Sequence, residues 1–367
     1  MRWSWKIGEF AGIGVYMHAT FLLLIGWIAL SYWIQQRSMA AVLGGVGFIL
    51  ALFACVVMHE YGHALTARKY GIKTRDITLL PIGGVARLER MPDNPVQELW
   101  VALAGPAVNV VIAVVLFAWL AISASLVPIE TLGVTSGSFL ERLMVVNLFL
   151  VGFNLIPAFP MDGGRVLRAL LAMRMEYTQA TQIAASVGQG LALMFGFLGF
   201  FYNPFLLFIA FFVWIGAAGE AQMVQMRSAL AGIPVSRAML TDFRTLSPRD
   251  SLAQAAEAVR SGFQQDFPVT ENGRVVGVLT HRELISELVS KGPDALVEEV
   301  MRRDFQTADS YDMLEVAFAR LQSCQCHTLP VLHGGQLVGL LTMDSVGEFM
   351  RIESAMKAAQ RFTQSSK

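Results

Sequence analysis

The chain has 367 residues, of which 54% are hydrophobic and 15% are charged. A composition this apolar excludes a single soluble globule, and the length leaves room for two domains. Lys and Arg together number 28, as do Asp and Glu. This balance argues against a nucleic acid as partner.

Apolar segments along the first 230 residues predict six membrane-spanning helices. They cover approximately residues 19–34, 40–70, 99–127, 139–156, 183–201 and 204–218. Six spans place both termini on one side, and the basic clusters at residues 68–90 and 165–174 fall on that side too. The positive-inside rule therefore predicts a multi-pass protein of the cell (plasma or inner) membrane with both termini in the cytoplasm.

The second predicted span carries the sequence His59-Glu60-Tyr61-Gly62-His63 near its polar end. Two histidines four residues apart lie on one helical face and can bind zinc, and the neighbouring Glu60 can act as a general base. Ionisable side chains at membrane depth are costly. A functional role is therefore favoured over that of satisfied structural polar groups.

Three further segments supply candidate site residues. Residues 77–88 predict a β-hairpin that turns at Pro81 to Gly84, directly after the second span. Asn109 lies in the apolar third span and needs a polar partner there. The fourth span leads into a segment with Asn154 and Asp162, and the topology brings Asp162 towards His59 on the cytoplasmic side.

From residue 233 onward the composition becomes that of a soluble domain, with an internal repeat at a constant offset of 62 residues. Phe267-Pro-Val269 recurs as Leu329-Pro-Val331, and Gly277-Val-Leu-Thr280 recurs as Gly339-Leu-Leu-Thr342. Each repeat contains a helical segment followed by two β-runs around a glycine turn, which predicts one packed α/β unit.

Taken together, these motifs resemble the site-2 protease family of intramembrane zinc metalloproteases. The resemblance is carried by His59–His63, Ala104-Gly-Pro-Ala-Val-Asn109 and Asn154-x-x-Pro157-x-x-Pro160-x-Asp162-Gly-Gly164. The duplicated C-terminal part resembles a tandem cystathionine-β-synthase (CBS) pair, which occurs in one branch of that family. The expected fold is a polytopic α-helical membrane protein with a small β-hairpin after the second span, plus a cytosolic α/β CBS pair.

The resemblance also suggests domain limits and site residues. The limits are residues 1–230 for the protease, 231–292 and 293–355 for the two CBS domains, and 356–367 for a polar tail. It implies one Zn²⁺ per chain, bound by His59, His63 and Asp162, with Glu60 as the catalytic carboxylate. Three protein ligands leave a fourth position open, as in catalytic zinc sites. Candidate substrate or oxyanion contacts are Asn154, Asn109, Gly83 and Gly84; for Asn154, a polar helix cap is the alternative.

By the same resemblance, the protein would cut in or near the transmembrane segment of a membrane-anchored regulator, such as a transcription regulator or an anti-sigma factor. The predicted hairpin would pair with an unwound substrate by β-addition, or would merely close the site. The CBS pair would modulate this activity. Other expected partners are the lipid bilayer and a second copy bound through the CBS domains. Two alternatives remain: a transporter or channel gated by the CBS pair, and an inactive protease-like scaffold.

Tandem CBS pairs often bind an adenine nucleotide, with a Thr or Ser and an Asp three positions later holding the ribose. The corresponding candidates are Thr280 with Glu283 and Thr342 with Asp344. Both depart from the pattern, because Glu283 is longer than Asp and Asp344 is displaced by one position. A structural dimerisation module, or a sensor of another ligand, is the alternative.

Overall fold

The computed structural model describes residues 3–92, 94–123, 137–262, 264–323 and 328–365. The chain divides into two compact units, Met1–Val224 and Gln225–Lys367. The first unit is mainly helical and contains the sequence's histidine pair. The second unit is α/β and contains the repeat.

Five helices of the described chain are long and apolar enough to cross a membrane. They are α1 (Ala19–Gln36), α2 (Met39–Lys69), α3 (Pro95–Ile122), α6 (Tyr177–Phe201) and α7 (Phe205–Leu230). The predicted fourth span is α4 (Phe139–Asn154), which has 16 residues and is shorter than the roughly 20 that span a bilayer. The count of six spans therefore stays a prediction.

Before the first membrane-spanning helix, strands β1 (Ser4–Phe10) and β2 (Ile13–His18) form a hairpin that was not predicted from the sequence. The two-residue turn between these strands consists of Ala11 and Gly12, both with positive φ. Alanine rarely adopts a positive φ, so its presence does not predict such a turn.

The hairpin predicted after the second span is present as β3 (Thr74–Leu80) and β4 (Gly83–Leu88). It belongs to a larger four-stranded sheet in the order β1-β2-β3-β4, in which β2 and β3 run parallel. Strand β4 is consequently an edge strand.

The sheet is held against helix α2. Ile13 and Ile77 form a buried cluster with Ala64 of α2. The Tyr61 hydroxyl donates to the carbonyl of Ile13 at 3.0 Å, and Arg68 donates to the carbonyl of Ala11 at 2.9 Å. These contacts hold the sheet, and β4 with it, against the part of α2 that contains Glu60.

Helices α2 and α3 approach closely because small residues lie between them. A side-chain carbon at Gly62 would come within 2.6 Å of the Ala104 carbonyl oxygen. Such close packing of glycine and alanine is typical of membrane helix pairs.

A short amphipathic helix, α5 (Asp162–Ala172), follows α4 after a seven-residue segment. Its first turn contains Gly163 and Gly164, which pack directly against the backbone of residues 155–159. Asp162 therefore begins a separate helix rather than ending the fourth span.

The second unit has the repeated organisation that the 62-residue offset predicts. Each repeat contributes one antiparallel hairpin between helices. The first has α8 (Leu252–Arg260), β5 (Phe267–Glu271), β6 (Arg274–Leu279) and α9 (His281–Ser290); the second has β7 (Ala308–Asp309), α10 (Leu314–Ser323), β8 (Thr328–His333), β9 (Gln336–Thr342) and α11 (Met343–Ser365). The predicted polar tail continues α11 as far as Ser365.

The two repeats are joined at equivalent positions. Asp266 and Thr328 are 62 residues apart, and the Thr328 hydroxyl donates to Asp266 Oδ2 at 3.1 Å. Both side chains are buried, and Asp266 Oδ1 also accepts the backbone N–H of His281. This polar contact fixes the pairing of the repeats inside an otherwise apolar core.

Candidate metal centre

The structure brings His59 and His63 of α2 together with Asp162 of α5. Each histidine Nε2 lies 3.1 Å from Asp162 Oδ2, and the two Nε2 atoms are 3.1 Å apart. All three side chains are buried. Residues about a hundred positions apart in sequence therefore present three ligand atoms to one point.

The tautomer of His63 follows from its other ring nitrogen. His63 Nδ1 lies 2.7 Å from the backbone carbonyl of Val101 on α3. A carbonyl oxygen only accepts, so Nδ1 carries the proton and Nε2 of a neutral ring presents a lone pair to the site.

His59 is oriented by a relay of two buried amides. Asn147 Nδ2 donates to the carbonyl of Leu143 at 2.8 Å, which fixes the orientation of that amide. Asn147 Oδ1 then accepts from Asn109 Nδ2 at 2.8 Å, and Asn109 Oδ1 accepts from His59 Nδ1 at 2.6 Å. The Nε2 atom of His59 is thus also left with a lone pair.

Two imidazole lone pairs and one carboxylate oxygen repel one another unless a cation or a proton lies among them. Zinc–nitrogen bonds of about 2.0–2.1 Å at tetrahedral angles separate neighbouring ligand atoms by about 3.3 Å, close to the spacing found here. Two imidazoles and a carboxylate are also a ligand set of catalytic zinc sites. The residues present therefore fit a zinc ion.

Gly105 on α3 makes room for both rings. A side-chain carbon built there would overlap His63 Nε2, and it would lie 2.7 Å from His59 Nε2. No larger residue fits without displacing the histidines.

Glu60 lies beside the three ligand atoms without joining them. Its Oε2 accepts the backbone N–H of Ala86 on β4 at 3.1 Å. A side-chain carbon at Gly84 would come within 2.8 Å of Glu60 Cγ. The carboxylate is therefore held between α2 and the edge strand, where it is available for proton transfer.

The remaining candidate contacts have different surroundings. Asn109 is fully buried with both ends of its amide engaged, so the geometry makes it a support of His59 rather than a substrate contact. Gly83, with a φ of 139°, and Gly84 begin edge strand β4. Asn154 ends α4, half-buried, with no side-chain hydrogen bond among the described residues.

Three groups that support the histidines were not predicted from the sequence: Asn147, Gly105 and the Val101 carbonyl. A signal existed for Asn147, because a lone amide in an apolar helix needs a partner just as Asn109 does. Backbone carbonyls and space-making glycines have no comparable signal.

Three of the four CBS candidates, Thr280, Glu283 and Thr342, take part in helix caps. Thr280 and Glu283 form a capping box at α9, and the Thr280 hydroxyl donates to Glu283 Oε2 at 2.7 Å. In the second repeat Thr342 exchanges hydrogen bonds with Ser345, while Asp344 is exposed. Ser345 rather than Asp344 therefore occupies the position equivalent to Glu283.

Comparison with known proteins gives consistent matches to both units. The sequence profile of peptidase family M50 matches residues 47–135 and 125–195, and that of the CBS domain matches residues 235–290 and 297–350. A zinc metalloprotease of Methanocaldococcus jannaschii is 33% identical over 356 residues, covering 96% of this chain and 97% of the relative.

Two further matches cover only part of this chain. The solved structure of the site-2 protease from M. jannaschii is 38% identical, covering 60% of this chain and 95% of that one, with a TM-score of 0.44. A CBS domain-containing protein of Bacillus subtilis is 29% identical over 127 residues, covering 34% of this chain and 91% of the relative.

The relative matched from end to end shares both units in one chain, and its name states a zinc-dependent protease. Within the described ranges, five apolar helices are long enough to cross a bilayer, in agreement with a protease of the membrane. The chain belongs to peptidase family M50, the site-2 proteases, as a multi-pass membrane zinc metalloprotease with a tandem CBS pair.

Proposed function

We propose that this protein is an intramembrane endopeptidase that hydrolyses a peptide bond in or near the transmembrane segment of a membrane-anchored regulatory protein. One zinc ion per chain would be held by His59, His63 and Asp162. The observation that supports this assignment most directly is the meeting of three ligand atoms within 3.1 Å of one another. A carboxylate stands beside them.

A bound zinc ion supplies a Lewis acid that acidifies water and polarises a carbonyl group. The chain's own residues transfer the proton and orient the metal ligands. Glu60 accepts the proton of the attacking water and returns it to the leaving amine. Val101 and the Asn109–Asn147 relay keep both imidazole lone pairs directed at the site throughout, and burial of the ligands limits access of bulk water.

Edge strand β4 is the proposed docking place for the substrate backbone. The N–H of Ala86 points away from β3, towards Glu60, and alternation along the strand directs the N–H of Gly84 to the same free edge. A locally unwound substrate could add there as a further strand, with its backbone next to the catalytic carboxylate.

Substrate peptides N-methylated at one backbone position at a time test this β-addition. We expect cleavage to fall at alternate positions near the scissile bond, because only every second N–H of an added strand faces β4. Mass spectrometry of the fragments gives the rates. A uniform loss, or no loss at any position, would favour a hairpin that only closes the site.

A panel of tagged single-span membrane proteins, incubated with the purified protein in lipid, tests the endopeptidase assignment. We expect fragments that end in or beside a transmembrane segment, and their loss after chelation. No cleavage, together with solute flux through proteoliposomes, would instead support a CBS-gated transporter or channel. Absence of both would support the inactive scaffold.

We further propose that the termini and the CBS pair are cytoplasmic, which the basic residues at 68–90 and 165–174 support. Substrates would then be regulators, such as transcription or anti-sigma factors, released on that side. Protease protection of a C-terminal tag in inverted and right-side-out vesicles measures the orientation.

For the CBS pair, we propose a structural or dimerisation role rather than ribose recognition. Glu283 is already engaged by Thr280 and lies 3.5 Å from Arg302, and the second repeat has Ser345 at the equivalent position. A ribose would find no carboxylate free of a protein partner at these two positions.

Calorimetric titration of the full-length protein with AMP and ATP measures nucleotide binding and so tests this proposal. We expect any dissociation constant for either nucleotide to exceed about 1 mM, which corresponds to a binding free energy weaker than about 4 kcal/mol. Binding that is lost in Glu283→Ala, with the fold intact, would restore the nucleotide-sensor alternative.

A further inference from the structure

One face of α3 organises the histidine pair. Val101, Gly105 and Asn109 recur at helical spacing, and all three are buried. Val101 fixes His63, Asn109 fixes His59, and Gly105 gives both rings their space. The same face continues one turn earlier to Glu98, which is also fully buried.

Glu98 instead contacts the helix that presents Asp162. Arg168 lies six residues after Asp162 on α5, and its Nε and Nη2 donate to Glu98 Oε1 at 2.8 and 2.5 Å. The remaining Nη1 donates to Glu220 Oε1 of α7 at 2.5 Å. One guanidinium thus joins α3, α5 and α7.

This ionic contact is deeply buried. Arg168 and Glu98 are both 0% exposed, and the guanidinium lies 5.0 Å from the ring centres of Phe159 and Tyr177. Glu98 Oε2 is buried without a hydrogen-bond partner among the described residues. Incompletely satisfied buried ion pairs are often no more stabilising than apolar residues of the same size, so stability alone accounts poorly for this one.

We propose that Arg168 is a positioning residue for the metal site. By linking Glu98 to Glu220, it fixes the rotation and the axial position of α5 relative to α3. Asp162 is thereby held at the point towards which α3 directs the two histidines. This inference rests on the proposed zinc site.

Cobalt binding to the full-length protein in lipid measures this positioning without relying on activity. The variants are Glu98→Gln and Glu220→Gln, and the control is Glu176→Gln, an exposed residue outside the contact. We expect both variants to bind one Co²⁺ about tenfold more weakly than wild type, with a changed ligand-field absorption band, because supporting residues typically contribute this much to metal affinity. The control should match wild type.

A double variant, Glu98→Leu with Arg168→Met, separates positioning from stability. Replacing both charges by apolar residues should give the double variant a thermal stability close to that of wild type. Its cobalt affinity should remain about tenfold below that of wild type. Affinity that returns together with stability would overturn the proposal, as would wild-type affinity and an unchanged band in Glu220→Gln. If the double variant does not fold, the cobalt affinity and absorption band of Glu220→Gln alone test the proposal. If wild type itself binds neither cobalt nor zinc, the proposed function fails first.

Discussion

Replacing Glu60 by Gln is expected to reduce peptide cleavage by about 10²–10⁴-fold while leaving zinc content unchanged. Gln has nearly the same shape, and its carbonyl oxygen can still accept the Ala86 N–H that Glu60 accepts now. It cannot take a proton from water. The test compares cleavage rates of a tagged single-span substrate with zinc per chain by mass spectrometry.

Glu89→Gln is the matched control, because Glu89 is an exposed acid just beyond β4. It should cleave at the wild-type rate. Retained cleavage in Glu60→Gln would remove Glu60 from the mechanism, and loss of zinc in that variant would make Glu60 a ligand rather than a base.

Replacing Gly105 by Ala is expected to weaken zinc binding by at least about tenfold and to reduce cleavage accordingly. The added methyl group would overlap His63 Nε2 and crowd His59, so the rings must leave the positions in which they face Asp162. Competition with a chromophoric chelator measures zinc affinity directly.

The control for this change is Gly47→Ala on α2, where a side-chain carbon meets nothing within 4 Å. It should retain wild-type zinc affinity and cleavage. Normal zinc affinity in Gly105→Ala would show that the metal is held elsewhere or that the histidines adapt without loss.

Local patterns predicted the parts of the site whose residues lie close together in the sequence. His59, Glu60 and His63 follow from four-residue spacing, and the 77–88 hairpin follows from the Pro and Gly residues between Pro81 and Gly84. The N-terminal hairpin escaped prediction because its turn begins with Ala11, and its parallel pairing with β3 is a long-range contact.

Residues that act across long sequence separations had weaker signals. Arg168 and Glu98 are 70 positions apart. In the sequence alone, each resembles a solvent-exposed charged residue near a membrane boundary. Their pairing depends on how α3 and α5 pack, which composition does not reveal. Sequence did contain the register of the second repeat, since the 62-residue offset relates Glu283 to Ser345 and not to Asp344.

X-ray absorption at the zinc edge, on the full-length protein in lipid, tests the central claim most directly. We expect one zinc per chain with only nitrogen and oxygen neighbours at about 2.0–2.2 Å, including two imidazoles, and loss of the ion in Asp162→Ala. Sulfur neighbours at about 2.3 Å would place the metal on the chain's cysteines instead, and a protein that retains no zinc would contradict the account altogether.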